Sequence, residues 1–288
     1  APIDTDRGCP YVCTYCAASS LREMFKKETG DNYLRFKDND LIIKEIKEIV
    51  KKYKINFIWF SSETFFAKGI EEYREFANRY IKEIHLPFWC QTRLDTFNPE
   101  KTKLLAEMGC RAVSVGLEHG NEQFRVEILK KFIANDRIMD SIMLLKKHKI
   151  SASINSIVGF PEETRKLAWD TINFNRRIYP HLVPGSTINI FIFTPYSGTP
   201  LRQYCLEKDY FTEQNYDNWM NFYTNSVLNM PSLSKREIEG LARTMPLYIK
   251  MPKKYFNQIK IAEGEGPEAE AMFEKLGQLL KKEERSKR

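Results

Sequence analysis

Up to about residue 205 the chain alternates between two hydrophobic patterns. Short runs rich in β-branched and aromatic residues read as buried strands: "KINFIWFSS" (54–62), "LPFWCQT" (86–92), "RAVSVGLE" (111–118), "ISASINSIVGF" (150–160) and "STINIFIFT" (186–194). "PIDTDRG" near the start reads as a first, weaker strand. Between these runs, apolar residues return at helical spacing. Leu41, Ile42, Ile46, Ile49, Val50 and Tyr53 form one such set, and Ile70, Tyr73, Phe76, Ala77, Tyr80, Ile81 and Ile84 a second. A third helix is punctuated by Asn98 as N-cap, Pro99 at its first position and Gly109 just beyond its end. Further helices are expected near 121–148 and 163–178.

Strands alternating with helices predict a parallel α/β architecture. Six strands are too few for a closed eightfold barrel. A doubly wound open sheet and a partial barrel of six β/α units both fit the periodicity. In either, ligands bind at the carboxyl ends of the strands. Beyond residue 205 the alternation stops. "SLSKREIEGLARTMPLYIK" opens on a capping box, Ser234 to Glu237, and reads as helix as far as Pro246. The tail "EGEGPEAEAMFEKLGQLLKKEERSKR" reads as a charged helix or a partly disordered segment. Its Gly-x-Gly-x-x-Ala string from Gly264 follows no strand and is not read as a nucleotide loop.

Composition narrows the class. The chain has 288 residues, 42% of them hydrophobic, enough for one large core. No window approaches the roughly 18 uninterrupted apolar residues of a membrane span, and no secretory signal is present. The chain opens on Ala1 and reaches its motifs at once, so it reads as a piece of a longer protein. A net charge of +7 spread among 38 acidic residues describes a solvated surface better than a nucleic-acid site. The cysteines are expected to be reduced, in a cytoplasmic protein.

The chemistry concentrates in "RGCPYVCTYC", where Cys9, Cys13 and Cys16 stand at Cys-x3-Cys-x2-Cys spacing. Thiolates this close suit zinc or an iron–sulfur cluster. Structural zinc wants four closed ligands, and the fourth would have to be a distant residue such as Cys90 or His119. A four-iron cluster on three cysteines leaves one iron open.

This loop resembles the signature of the radical S-adenosylmethionine superfamily, with Tyr15 at its aromatic position. The resemblance implies a partial (β/α)6 TIM-like barrel rather than the open sheet. It also implies a 4Fe–4S cluster on Cys9, Cys13 and Cys16 whose open iron is chelated by S-adenosylmethionine. One electron then cleaves the sulfonium, and the resulting 5′-deoxyadenosyl radical takes hydrogen from substrate. Glu63 matches the residue that receives the cofactor's ammonium, although Ser61 and Ser62 replace the glycines expected before it. Glu118 is placed against the ribose or amino-acid part, and Arg93 near the same mouth to pair with a carboxylate of cofactor or substrate, or with Asp95. Ile157 and Val158 are expected to pack on adenine, and Gly159 to let the ring approach. His119 is read as a structural histidine or a proton donor.

"GLEHGNEQF", "GFPEETRKLAWDTINF" and "FTPYSGTPLRQY" resemble the branch that carries an upstream cobalamin-binding domain, many members of which transfer methyl groups. No such domain lies in these residues, so cobalamin and its upstream domain are open expectations. The alternatives are a cobalamin-independent radical oxidoreductase or cyclase, a tRNA methylthiotransferase, and a non-enzymatic zinc or iron–sulfur module. Expected partners are a small-molecule or peptide substrate and an electron donor such as a flavodoxin or ferredoxin; neither a membrane nor a nucleic acid is expected. Residues 1–205 are read as the barrel and 206–288 as a mostly helical extension. Trp59, Phe65, Phe66, Phe193 and Tyr196 either line a cavity for a bulky substrate or close the barrel.

Overall fold

The computed structural model describes residues 1–212 and 223–286. Residues 213–222 of the expected extension and the last two of the basic end therefore lie outside the described residues. Six strands form one sheet in the order β1 (Pro2–Ile3), β4 (Ile58–Phe60), β5 (Phe88–Thr92), β6 (Cys110–Glu118), β7 (Ser151–Val158) and β8 (Thr187–Ile192). Pairings β1–β4, β4–β5 and β5–β6 are parallel. The order rises without reversal, whereas a doubly wound sheet reverses at a switch point. With right-handed crossovers, a rising order keeps the helices on one face, as in a barrel wall. The sheet ends on β1 and β8, so the wall is open. The chain divides into two compact units, residues 1–117 with 126–154 and 181–187, and residues 118–125 with 155–180 and 188–288.

In the first unit, α2 (Asn39–Tyr53), α3 (Ile70–Glu83), α4 (Pro99–Glu107) and α6 (Asn135–Lys147) pack in succession. Phe60, Phe65, Phe76, Tyr80 and Phe88 form one aromatic layer between sheet and helices, with Phe60 5.1 Å from Phe88 and 5.9 Å from Tyr80 by ring centroids. Phe65 and Phe66 are thus buried core residues. Trp59 and Trp89 sit in register on the opposite face, and Trp59 stays 48% exposed. Asn98 caps α4 as expected, accepting from the Lys101 N–H at 2.7 Å, and Gly109 follows with φ 96°.

Three expectations change. "PIDTDRG" is not one strand: after β1 the chain leaves the sheet, and β2 (Asp6–Arg7) pairs antiparallel with β3 (Arg35–Phe36). Between them lies α1 (Ala17–Thr29), which the periodicity did not announce. The helix expected over 121–148 is two, α5 (Glu122–Glu127) and α6. The reason is a contact distant in sequence, because the carbonyls of Ile128 and Leu129 turn to accept from the hydroxyl and N–H of Thr14.

The second unit contains α7 (Arg165–Ile178), α8 (Pro200–Glu207), α9 (Lys235–Lys250), α10 (Phe256–Ala262) and α11 (Pro267–Ser286). Phe193 is buried against Phe160, whereas Tyr196 is 40% exposed. The capping box at Ser234 and Glu237 is present. The helix runs through Pro246 instead of stopping, because Met245, Leu247, Tyr248 and Ile249 around it are all buried and outweigh one lost backbone bond. The tail is helical, and Gly264 and Gly266 form its turn rather than a nucleotide loop. Arg165 grips Glu263 with both ends of its guanidinium, at 2.5 and 2.7 Å, and ties α7 to the end of α10. No helix among the described residues is long and apolar enough to cross a membrane.

Gly240 in α9 lies against the Glu263 carbonyl so closely that a Cβ there would overlap it. Gly240→Ala should therefore destabilise the protein by about 1–3 kcal/mol, read as a lower urea midpoint by circular dichroism.

Candidate cofactor site

Cys9, Cys13 and Cys16 lie on the loop between β2 and α1, and none of the three is in a disulfide. The loop is bound down along its length. The Gly8 N–H donates to Glu63 Oε2 at 3.2 Å, and Arg22 Nη1 donates to the Cys9 carbonyl at 3.1 Å. The Ser19 hydroxyl lies 3.0 Å from the carbonyls of both Cys13 and Cys16. Thr14 is held to Ile128 and Leu129 as described above. Gly8 has φ 88°, and a Cβ there would come within 2.9 Å of the Tyr33 ring, so glycine is required on both counts. Tyr15, next to Cys16 on the same loop, is half-buried.

Ser61 and Ser62 have a purpose of their own. Ser62 Oγ, buried, accepts from the Thr5 N–H at 2.9 Å and the Asp6 N–H at 3.3 Å, and Ser61 donates to Asp4. They anchor the chain where it leaves β1 for the thiol loop. Glu63 itself is exposed, and its contact here is with Gly8.

Arg93, at the end of β5, is 9% exposed and reaches the loop directly. Its Nε and Nη2 donate to Asp95 at 2.9 and 2.7 Å, its Nη1 lies 3.4 Å from Cys13 Sγ, and its Cζ sits 3.6 Å from the centroid of the Tyr11 ring. Asp95 is one of the partners expected for it.

Among the described residues no three His, Cys, Asp or Glu side chains converge as ligands of a single ion do. A cubane takes each thiolate on a separate iron, so its cysteines surround a volume instead of meeting at a point. The donor set suits such a group. Three soft thiols share one loop, and burial, with Cys16 and Cys13 alongside, pushes the Cys9 thiol up to about 11. A bound cation reverses that preference and holds the thiolate. The fourth ligands a zinc centre would need are otherwise engaged. Cys90 is buried beside Cys110, among the β5 residues that pack against the helices.

His119 belongs to the second unit and is completely buried. Its Nδ1 accepts from the Asn121 N–H at 3.1 Å, so Nε2 carries the hydrogen and donates to Glu163 Oε1 at 3.1 Å. The other Glu163 oxygen accepts from the N–H groups of Gly159 and Phe160, at 2.6 and 3.1 Å. His119 is therefore structural, and Glu163 is a positioning residue that sequence reading missed. The signal was available only as "HG" and "GFPEE", strings that carry no distance. Glu118 ends β6 in the left-handed region, φ 63°, and is 9% exposed. A non-glycine residue in that region is held there by its surroundings.

Gly159 has φ 86°, and the place of its Cβ is filled by Ile238 of α9, 2.7 Å away. Glycine is thus required by backbone and helix packing, independently of any ring. Strand alternation separates the expected pair at 157 and 158: Ile157 lies on the half-buried face of β7, and Val158 on the fully buried one.

The sequence pattern defining the Radical SAM superfamily matches residues 4–174. An uncharacterized methyltransferase of Pyrococcus horikoshii is 27% identical over 243 residues, covering 84% of this chain and 49% of that protein. The bacteriochlorophyllide d C-12(1)-methyltransferase of Chlorobaculum tepidum is 25% identical over 215 residues, covering 69% of this chain and 41% of its own length. The chain thus spans about half the length, or less, of these curated relatives. The cobalamin-dependent S-adenosylmethionine radical enzyme OxsB, with aqua-cobalamin bound, superposes with a TM-score of 0.62 at 15% identity, covering 97% of this chain and 45% of that one. The radical S-adenosylmethionine methyltransferase TsrM from Kitasatospora setae, with cobalamin and a [4Fe-4S] cluster, gives a TM-score of 0.59 at 16% identity, covering 72% of this chain and 39% of its own. At these identities the structural likeness concerns the fold, a partial barrel with helices.

Two predictions follow from the anchoring groups. Glu163→Leu strips the acceptor from two backbone N–H groups and from His119, and should cost about 3–5 kcal/mol in urea unfolding. Asp6 has one buried carboxylate oxygen without a partner, and burial raises its pKa from 3.8 to about 6. A carboxyl raised in the fold favours folding while protonated, so this contribution is full below pH 3.8 and is lost as pH rises through 6. Asp6→Asn should abolish that decline, and unfolding midpoints of both proteins measured from pH 4 to 7 will show it.

Proposed function

The chain belongs to the radical SAM superfamily, and within it we propose that residues 1–288 form the radical-generating part of a cobalamin-dependent methyltransferase. The observation that carries this reading is the thiol loop, three cysteines outside any disulfide after the first strand, bound at Gly8, Cys9, Thr14 and Cys13 by groups from neighbouring elements. Members of the family use a 4Fe–4S cluster and S-adenosylmethionine. When bound, these supply the electron transfer that cleaves the sulfonium and gives a 5′-deoxyadenosyl radical.

The residues of this chain bind and orient. Cys9, Cys13 and Cys16 would hold three irons and leave the fourth to the amino and carboxylate groups of S-adenosylmethionine. Glu63, exposed beside Gly8, keeps an acceptor oxygen for the ammonium while its other oxygen holds the loop. Glu118 would accept from the ribose hydroxyls, its backbone fixed in an uncommon conformation before substrate arrives. Ile157 would pack against adenine, and the Gly159 N–H, fixed on Glu163, sets the course of the strand end. Tyr15 would flank the nucleoside. Arg93 is assigned to the cluster side of the site, where Asp95 and Tyr11 already hold it.

Residues 1–205 would provide the barrel and 206–288 a mostly helical extension. The relatives named as methyltransferases support methyl transfer, with cobalamin bound on a partner module and the electron supplied by a flavodoxin or ferredoxin. The substrate would be a small molecule or peptide.

The test is anaerobic reconstitution with iron and sulfide, then dithionite and S-adenosylmethionine, with 5′-deoxyadenosine quantified with and without methylcobalamin. Wild-type protein should form it, and Cys13→Ala should lose both the cluster absorbance and all product. Cleavage retained by Cys13→Ala would overturn the assignment. Product formed equally in both cobalamin conditions, and no methylated product in the presence of candidate substrates, would favour a cobalamin-independent oxidoreductase or cyclase.

A further inference from the structure

The Arg93 guanidinium is held from three directions, and only one of them is a conventional ion pair. Asp95 takes the Nε–Nη2 edge as a bidentate partner at 2.9 and 2.7 Å. The Tyr11 ring lies under the plane at 3.6 Å from Cζ. The remaining Nη1 lies 3.4 Å from Cys13 Sγ, in a contact that is buried. Tyr11 and Cys13 belong to the thiol loop, whereas Arg93 and Asp95 follow β5. Because Asp95 occupies the far edge of the fork, the pair as a whole is nearly neutral, and its positive end faces the sulfur. A planar guanidinium can serve a carboxylate, a ring and a sulfur at once; an ammonium cannot.

We infer that Arg93 is a positioning residue for the Cys13 thiolate that also sets the reduction potential of the cluster, an inference resting on the assignment of the three cysteines proposed above. An N–H donated to a ligand sulfur draws electron density from it. That stabilises the electron-rich reduced state relative to the oxidised one and raises the potential. Burial strengthens the effect, since little water competes for the sulfur or screens the charge. Tyr11 sets the height of the guanidinium above the loop, and Asp95 sets its rotation. This role differs from the carboxylate recognition expected of Arg93: its fork is already filled, and its free edge is turned to Cys13.

The experiment is an EPR-monitored redox titration of the reconstituted full chain, wild type against Arg93→Gln and Arg93→Lys, with iron content and circular dichroism recorded for each. Arg93→Gln should load iron and lower the midpoint so that the reduction equilibrium falls tenfold or more, ~59 mV for a one-electron couple. Arg93→Lys, which keeps the charge but cannot serve all three partners, should fall between. A loaded Arg93→Gln with the wild-type midpoint overturns the inference. Should Arg93→Gln not fold, Arg93→Lys is compared with wild type by electron–nuclear double resonance in H2O and D2O. Loss of an exchangeable-proton coupling present in the wild-type cluster supports the inference, and an unchanged coupling with an unchanged midpoint overturns it. A folded wild type that binds no iron overturns the cysteine assignment itself, and with it this inference. Iron content separates that failure from the others.

Discussion

A loop that carries three thiols in eight residues is not held by a core of its own: of Cys9 to Cys16 only Cys13 is buried, and Val12 stays 49% exposed. Thiolates at such spacing also repel one another, and burial alone would keep them protonated. The rest of the first unit is arranged to answer that constraint with directional bonds. Glu63 from the end of β4, Arg22 and Ser19 from α1, Arg93 from the end of β5, and the carbonyls beyond α5 each hold a different point of the loop. The break between α5 and α6 is a consequence, since two carbonyls that would have extended a helix are given to Thr14. So is the early end of the first strand, where Ser62 takes over the N–H groups of Thr5 and Asp6.

The second unit follows the same logic with different groups. There the strand end at Gly159 is fixed by a buried carboxylate, Glu163, which is oriented by His119, which is in turn fixed by the Asn121 N–H. Ile238 fills the space over Gly159, and Glu263 joins α7 to α10 through Arg165. The C-terminal helices thus contribute to the backbone geometry of a strand end as well as to the core.

Hydrophobic periodicity was a good guide to five strands and to the helices at Asn39–Tyr53 and Ile70–Glu83, because those segments bury one face, and burial of one face is what a period records. The expected strand 111–118 and the observed Cys110–Glu118 differ by one residue. Periodicity failed where polar contacts decide. The split of "PIDTDRG" depends on a serine 57 residues away in sequence, and the break near Ile128 on a threonine 114 residues away. Of the candidate site, the cysteine cluster was legible because its spacing alone puts three thiols on one loop. The partner of Arg93 was legible only as a choice between Asp95 and a bound carboxylate, and its contact with Cys13 not at all, since the two are 80 residues apart. Ser61 and Ser62 looked like departures from a glycine pattern; their hydroxyls anchor the chain just ahead of the loop.

The central claim is that three cysteines hold the cluster and leave one iron for the cofactor. The most direct measurement is the EPR spectrum of the anaerobically reconstituted and reduced protein, recorded before and after saturation with S-adenosylmethionine. The account predicts that the g-values of the reduced cluster change on addition of the cofactor, because it binds at the open iron. A full four-iron cluster whose spectrum is unmoved by S-adenosylmethionine would mean that the fourth iron is closed by the protein, and would contradict the account.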